Sequence, residues 1–579
     1  VKTQATAVPR EDEIVESVRI DDAWALVERF STLVRESGTE EEHAAAEAII
    51  ERLESWGVPY TLHEPELLIS LPREAGLTVG DVTYRAKTPS MAGSTPEAGV
   101  TAPIVYEAAG YAESINDIFS VSRGEGDVAG KIVVSEGFAM PGRINDLEAR
   151  GATGIVAIAP GEWIHEGICT PVWGSPDLGT YSGKPAIPVV SVSKSDGDKL
   201  LEQLENGVAE ATILARHEEG WRKIPVIVAE LRGTEEPDRF VLAHGHLDSW
   251  HVGIGDNATG DAALLELARV LGEHRDTLKR SVRIAWWSGH SHGRYAGSTW
   301  FADAFALDLE RNCICHINCD SPGCRDADTF EDVYWMAEAE SFAKDAIRDF
   351  TGQPSDGRYP LRAGDISFSN LGLSTFFMLS STMSAAQRQE KGYYAVGGCG
   401  GNIEWHTEAD TLDIADRERL LRDIRLYAGS TFRAANLPVH PLDFRATVSQ
   451  IEEVLASIGE RAGELVDLGG TLERAQSLRS ALAALYAVAD GADSTAAARG
   501  VNDALLKIGR ELVRVLYSAA GTYRQDPALN IPLLPEFAAA ADAVGTVPDG
   551  VLRTEFLRAR NRLDAALDEA TVLALGVAS

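Results

Sequence analysis

Apolar and polar positions alternate with different periods along this chain. In SGTEEEHAAAEAIIERLESWG, Ser37, Thr39 and three glutamates precede apolar residues at helical spacing, and Gly57 closes the run. A hydroxyl cap, an acidic first turn and a terminal glycine predict an amphipathic helix. From 76 to 224 the pattern changes to short β-branched runs, among them GKIVVSEG, GIVAIAP and IPVVSVS, set apart by Gly, Pro and Asp; one stretch, INDLEARG, has a helical period. That pattern predicts an inserted strand-rich unit. Between 225 and 440, the apolar runs VIVAEL, RFVLAHGHLD, SVRIAWWSG and CICHINCD alternate with helical segments such as DAALLELARVLGEH. This predicts an α/β sheet covered on both faces. Beyond 441, IEEVLASIGERAGELVDL, VNDALLKIGRELVRVLYSAAG and LRTEFLRARNRLDAALDEATVLAL all carry a helical period. The expected division is 1–75 with 225–440, then 76–224, then 441–579.

Composition excludes more than it assigns. Of 579 residues, 45% are hydrophobic and 24% charged, as in an ordinary globular protein. The excess of 88 acidic over 53 basic residues gives a formal charge of -35, which argues against nucleic acid or an anionic membrane surface as a partner. A small molecule or short peptide fits better. No apolar run reaches the roughly 18 residues of a membrane span, and the first residues lack a signal-peptide plan. Six cysteines in so long a chain favour a reducing compartment, so a cytoplasmic location is expected, with secretion after signal cleavage left open because the chain does not begin with Met. Cys313, Cys315, Cys319 and Cys324 match no paired metal ribbon and read as core thiols.

The polar residues that end the apolar runs carry the chemistry. In AHGHLDSWHVGIGDNATG, His246 and Asp248 lie two apart at a strand end and would share a face, with Asp248 placed to hold the imidazole tautomer. Asp256 follows a glycine-rich turn, with two oxygens able to bridge two ions. Asp320 ends CICHINCD, His406 sits in NIEWHTEADTLD, and WWSGHSHGRYAGS adds His290 and His292. In open α/β sheets, ligands gather at such strand ends. The glycines of HVGIGDNATG do not make a dinucleotide fingerprint, because an acidic residue stands where pyrophosphate needs neutral donors; no Walker motif is present.

The order His246-x-Asp248, Asp256-Asn257-x-x-Gly260, Gly297-Ser298, Asp320 and Trp405-His406-Thr407-x-x-Asp410-Thr411 resembles the zinc aminopeptidases, and most of all their glutamate carboxypeptidase and transferrin receptor branch. The resemblance implies an α/β, mixed-sheet metallopeptidase-like catalytic domain, a protease-associated domain at 76–224 and a helical dimerisation domain at 441–579, hence a homodimer. It implies one metal held by His246, Asp256 and Asp320, and a second held by Asp256, His406 and a glutamate. The family's tandem Glu-Glu, general base followed by ligand, falls on His290 and Ser291, so both carboxylates are replaced.

A neutral histidine has an unperturbed pKa of about 6.5, so His290 retains the capacity of a base, whereas Ser291 is a weak neutral ligand. His292 is a candidate replacement ligand, since two residues along an extended chain face the same way, and coordination by His290 itself stays open. Zinc is the expected metal, as one or two ions; manganese, iron and nickel also suit this donor set. Glu404, two residues before His406, is a candidate substitute base. Asp365, in RAGDISFSNLG, matches a pocket-shaping segment of the family, and GYYAVGGCGGN is expected as a mobile loop over the site. Arg362, Tyr393 and Tyr394 are candidate substrate contacts. The expected function is metal-dependent hydrolysis of an amide or peptide-like bond, with metal-bound water as nucleophile and His290 as base. A metal-dependent lyase acting on a small carboxylate and a non-catalytic receptor are the alternatives.

Overall fold

The computed structural model of the chain describes residues 8–118, 124–377 and 381–578. Early in the chain the predicted capped helix forms over Glu40–Ser55, where the Thr39 side chain accepts from the Glu42 amide. Strand β1 (Tyr60–His63) follows. The chain then leaves for a second sheet made of β2 (Glu66–Val79), β3 (Val82–Arg85), β4 (Val100–Tyr106), β5 (Ile132–Glu136), β6 (Gly154–Ile158), β7 (Val189–Val192) and β8 (Glu210–Lys223). Their order is β3-β2-β8-β4-β5-β6-β7, with an antiparallel half and a parallel half. Buried Ile132, Val134, Val156, Val190 and Ile213 form its separate core. The helical stretch expected at INDLEARG forms there as Pro141–Ala149, with Arg150 and Gly151 just past its end.

Strands β9 (Val226–Leu231), β10 (Glu236–His246), β11 (Arg280–Trp287) and β12 (Cys313–Asn318) return to β1. They form a mixed sheet in the order β1-β9-β11-β10-β12, in which β10 runs parallel to both neighbours. Helices cover it, including Thr259–Glu273, whose residues from Thr259 to Leu271 are all buried. Such burial on every side explains why its sequence is apolar beyond a single stripe. Register sets the chemistry: His246 pairs with Trp287, and His244 with Asn318. The residues just past the ends of β10, β11 and β12 therefore lie level at one edge.

The last quarter is helical, with Phe444–Ala462, Gly469–Ala489, Thr495–Tyr517 and Asp549–Ala578 as its long elements. Its apolar faces join the same continuous core as the covered sheet, so Phe444 and Leu567 belong to one cluster with Val241 and Ile284. The clustered cysteines Cys313, Cys315, Cys319 and Cys324 are free and buried, as core thiols. Among the described residues, no helix is long and apolar enough to cross a membrane.

Candidate metal centre

Three strand ends and one loop meet around the carboxylate of Asp256. Its Oδ1 lies 2.9 Å from His246 Nε2, and its Oδ2 lies 3.0 Å from His406 Nε2. Asp320 Oδ2 stands 3.9 Å from His246 Nε2. Each group is held from behind. His246 Nδ1 donates to the Asp248 carbonyl at 2.9 Å, and His406 Nδ1 to the Glu166 carbonyl at 3.1 Å. Asp410 accepts from the amides of Gly255 and Asp256 at 2.7 and 3.1 Å, fixing the turn that carries Asp256. His406, Ser321, Arg294 and Tyr295 all have positive φ, a conformation costly for residues with side chains and concentrated at functional sites.

His246 Nε2 and Asp256 Oδ1 are buried and close, yet out of line, so neither has a hydrogen-bond partner among the described residues. Unpaired buried polar atoms are costly, and atoms that converge without bonding each other suit a shared cation. Burial alone would push the His246 imidazole toward neutrality, but Asp256, Asp320 and Asp248 outweigh it and hold its pKa well above the ordinary value. Burial, helped by Asp256, lifts Asp320 to about 6. The surplus of buried negative charge thus calls for a cation, and these residues fit a divalent metal.

His290 enters the same centre. The ligand atoms of His246, His290 and Asp320 lie within 4.8 Å of one another. Its Nδ1 donates to Asp365 Oδ2 at 2.9 Å, which leaves Nε2 without a proton in the neutral ring. Burial alone would raise Asp365, but the adjacent His290 holds it well below the usual carboxylate range. The His246 and His290 rings stack, with centroids 3.8 Å apart and planes at 14°. Ring-nitrogen lone pairs lie in the ring plane, and zinc–nitrogen bonds are about 2.0–2.1 Å. The stacked rings can present a nitrogen each to one side, so His290 is placed either to hold an ion together with His246 and Asp320 or to act on a group beside it.

Several expected roles are not realised. Asp248 does not hold the His246 ring with its carboxylate, which sits 3.8 Å from Nδ1; it accepts from the amides of His290 and Ser291, at 3.2 and 2.7 Å, and shapes their turn. His292 is not among the converging ligand atoms. Residues 290–293 form a helical turn rather than an extended segment, so positions two apart point to different sides. His292 instead packs 4.2 Å from Trp250, with Nδ1 3.0 Å from Ser37 Oγ. Glu404 is drawn away by an ion pair with Arg325 at 2.9 Å. Arg362 is buried beneath the helical region, donating to the Asp526 carbonyl at 2.8 Å and stacking on Trp173. Tyr394 bonds His165 Nε2 at 2.8 Å, while Tyr393 lines a neighbouring cleft that also reaches Asp320. The glycine-rich run is packed rather than lid-like: a Cβ on Gly398 would meet the Trp405 ring at 2.8 Å.

The pocket over the metal residues also contains side chains that the sequence reading passed over. Phe138, His165 and Glu166 reach in from the strand-rich sheet, and Arg294 and Tyr295 follow the His290 turn. WIHEG offered a histidine and a glutamate, but nothing in local spacing ties position 166 to His406, whose carbonyl accepts from the Glu166 amide and whose ring Nδ1 donates to the Glu166 carbonyl.

Comparison with known proteins agrees with this geometry. The model of peptidase family M28 matches residues 226–428. A probable glutamate carboxypeptidase of Zea mays is 26% identical over 254 residues, covering 41% of this chain and 34% of that protein. A transferrin receptor of Gallus gallus is 29% identical over 166 residues, covering 24% of this chain and 21% of the receptor. The matched stretches thus span about a third or less of these relatives. An aminopeptidase of Aneurinibacillus sp. strain AM-1 superposes with a TM-score of 0.53 at 20% identity, over 73% of this chain and 96% of the other. A zinc aminopeptidase of Bacillus subtilis gives 0.52 at 20%, over 72% and 95%. The chain has a mixed α/β fold like that of these aminopeptidases, and its residues 226–428 are similar to peptidase family M28.

Proposed function

We propose that the chain is a metallohydrolase that cleaves an amide or peptide-like bond in a small substrate. The observation that carries this reading is the Asp256 carboxylate set between His246 and His406, with Asp320 and His290 beside His246. His246, Asp256 and Asp320 would hold one divalent ion, and Asp256 with His406 would favour a second. Imidazole with carboxylate suits zinc. When bound, the metal supplies Lewis acidity toward a carbonyl oxygen and toward water.

The protein's own residues supply proton handling and orientation. His290 takes a proton at Nε2, because Asp365 fixes its other nitrogen as donor and stabilises the imidazolium that forms. The stacked His246 ring and the edge of Tyr295, 4.7 Å away, keep the His290 ring in place. Ser298 donates to the other Asp365 oxygen at 2.7 Å, so that carboxylate is itself locked. Asp248 positions His290 through the backbone. This assigns the base role to a histidine–aspartate pair where the related enzymes' pattern has glutamate.

The strand-rich unit at 76–224 reads as a protease-associated domain that walls the pocket with Phe138 and His165. The helical unit reads as a dimerisation domain; Val551, Leu557 and Val572 are 57%, 48% and 65% exposed on its last helix. The test is mass spectrometry of products from a dipeptide panel in ¹⁸O-labelled water, with zinc-loaded and chelated protein. Hydrolysis yields two fragments, one carrying the label, only with metal. Unlabelled fragments with an alkene, or no turnover with metal bound, would refute it.

A further inference from the structure

The proposed ligands are not all supported from the same unit. His246 is held by the Asp248 carbonyl, and the turn that carries Asp256 is held by Asp410. His406 lies in a loop with neither helix nor strand, at a φ of 56° that disfavours a side chain, and its supports come from the strand-rich unit. Two consecutive residues between β6 and β7 supply them. The Glu166 amide donates to the His406 carbonyl at 2.8 Å, and His406 Nδ1 donates to the Glu166 carbonyl at 3.1 Å. His165 Nδ1 donates to the Trp405 carbonyl at 2.6 Å. Because a carbonyl only accepts, that nitrogen carries the proton, and in the neutral ring Nε2 accepts from the Tyr394 hydroxyl at 2.8 Å. The Trp405 and His406 rings stack with centroids 3.8 Å apart, so whatever fixes Trp405 also fixes the ligand ring.

Charged side chains tie the two units together around this contact. Lys87, whose backbone pairs with Ser191 of β7, reaches Glu166 at 3.1 Å and Glu408 at 2.5 Å, and Arg85 of β3 also reaches Glu408 at 2.5 Å. His251 lies 3.2 Å from Glu166 on the other side. Cations of the strand-rich unit thus bridge its own carboxylate to one that follows His406 by two residues. That unit has a separate core and is joined to the mixed sheet between β1 and β2 and between β8 and β9. Units connected in this way move relative to each other unless their interface holds them. The approach of His406 Nε2 to Asp256 Oδ2, at 3.0 Å, therefore depends on how the strand-rich unit is docked. The partner of an imidazole's second nitrogen orients the ring and tunes it as a ligand.

Resting on the metal centre of the reading above, we propose that His165 and Glu166 are positioning residues for the second ion: the docked strand-rich unit sets His406 toward Asp256, so that this ion binds to the docked form and in turn holds it docked. The test is titration of zinc-free protein against a competing fluorescent chelator, in wild type, His165→Ala and His165→Asn, with thermal unfolding of the zinc-free forms to establish that each is folded. Wild type should take up zinc in two steps, the first at the position with three ligands. His165→Ala should weaken the second step by about tenfold to a hundredfold, the cost of losing a partner behind a ligand, and leave the first unchanged. His165→Asn, whose amide nitrogen can stand where Nδ1 stood, should restore most of the second step, which a role in packing alone would not do. Hydrogen exchange needs no variant. Exchange of the Glu166 amide in wild type should slow by at least about tenfold on the second equivalent of zinc, because binding and docking favour each other reciprocally. A single zinc step, equal weakening of both steps or of neither in His165→Ala, a loss that His165→Asn does not mend, or exchange at Glu166 indifferent to the second equivalent overturns the proposal. None of these readouts needs turnover, so the two readings separate. A second step weakened in His165→Ala, without hydrolysis of any amide, would refute the reaction and leave the positioning role, whereas hydrolysis with both zinc steps untouched by His165→Ala would do the reverse.

Discussion

At the scale of the residue, the centre depends on shared oxygens and on nitrogens fixed from behind. Asp256 faces two imidazoles with its two oxygens, so Asp256→Asn, which removes the charge and makes one of those atoms a donor, should abolish tight metal binding and lower turnover at least about a thousandfold. Metal analysis and a steady-state assay check both. Asp365→Asn should behave differently. It alters the partner of His290 Nδ1 and of Ser298, outside the proposed ligand set, so metal content should be unchanged while kcat falls by about a hundredfold to ten-thousandfold, the range for losing an oriented imidazole base. Loss of metal in that variant would instead make His290 a ligand. At this scale the sequence was a good guide to residue type and a poor one to direction. His246 and Asp320 could be found from their places just at the ends of strands β10 and β12, whereas Asp256 lies in the following turn and His406 in a loop, where only their motifs pointed to them. Asp248, His292 and Glu404 were misjudged because side-chain direction depends on local conformation: a helical turn at 290–293 and an arginine from a distant loop decide where they point.

At the scale of the element, period and capping were legible. The helix at Glu40–Ser55 and strands β10, β11 and β12 follow their apolar patterns, because helices and strands repeat on different periods. Thr39→Ala should cost about 1 kcal/mol of stability, as measured by denaturant unfolding, since its hydroxyl caps that helix. Tertiary charge pairing was not legible. In the strand-rich unit, hydrogen bonds from Arg150 and then Arg143 hold Glu107 at a pKa of about 2 against the opposing effect of burial. A carboxyl depressed in the folded state contributes stability that is full above its unfolded pKa near 4.5 and is lost as pH falls toward about 2. Glu107→Gln should therefore flatten the acid limb of unfolding between those values and lower stability at neutral pH; an unchanged acid limb would contradict the pairing.

At the scale of the whole molecule, loops of the strand-rich unit and the ends of the mixed sheet meet at one pocket. The mixed sheet and the helices also share one continuous core, which no segment of sequence shows because its members are hundreds of residues apart. A ligand bound only by the folded state stabilises it by about 2.7 kcal/mol at a hundred times its dissociation constant. Zinc should accordingly raise the unfolding temperature of wild type and leave that of Asp256→Asn unmoved. The central claim is that these strand ends hold a metal, and its most direct test is metal content per chain, by inductively coupled plasma mass spectrometry, on untagged protein prepared without chelator. The account predicts at least one tightly held ion per chain in wild type and none in Asp256→Asn. No retained ion in wild type, even after incubation with zinc, manganese, iron and nickel, would contradict it.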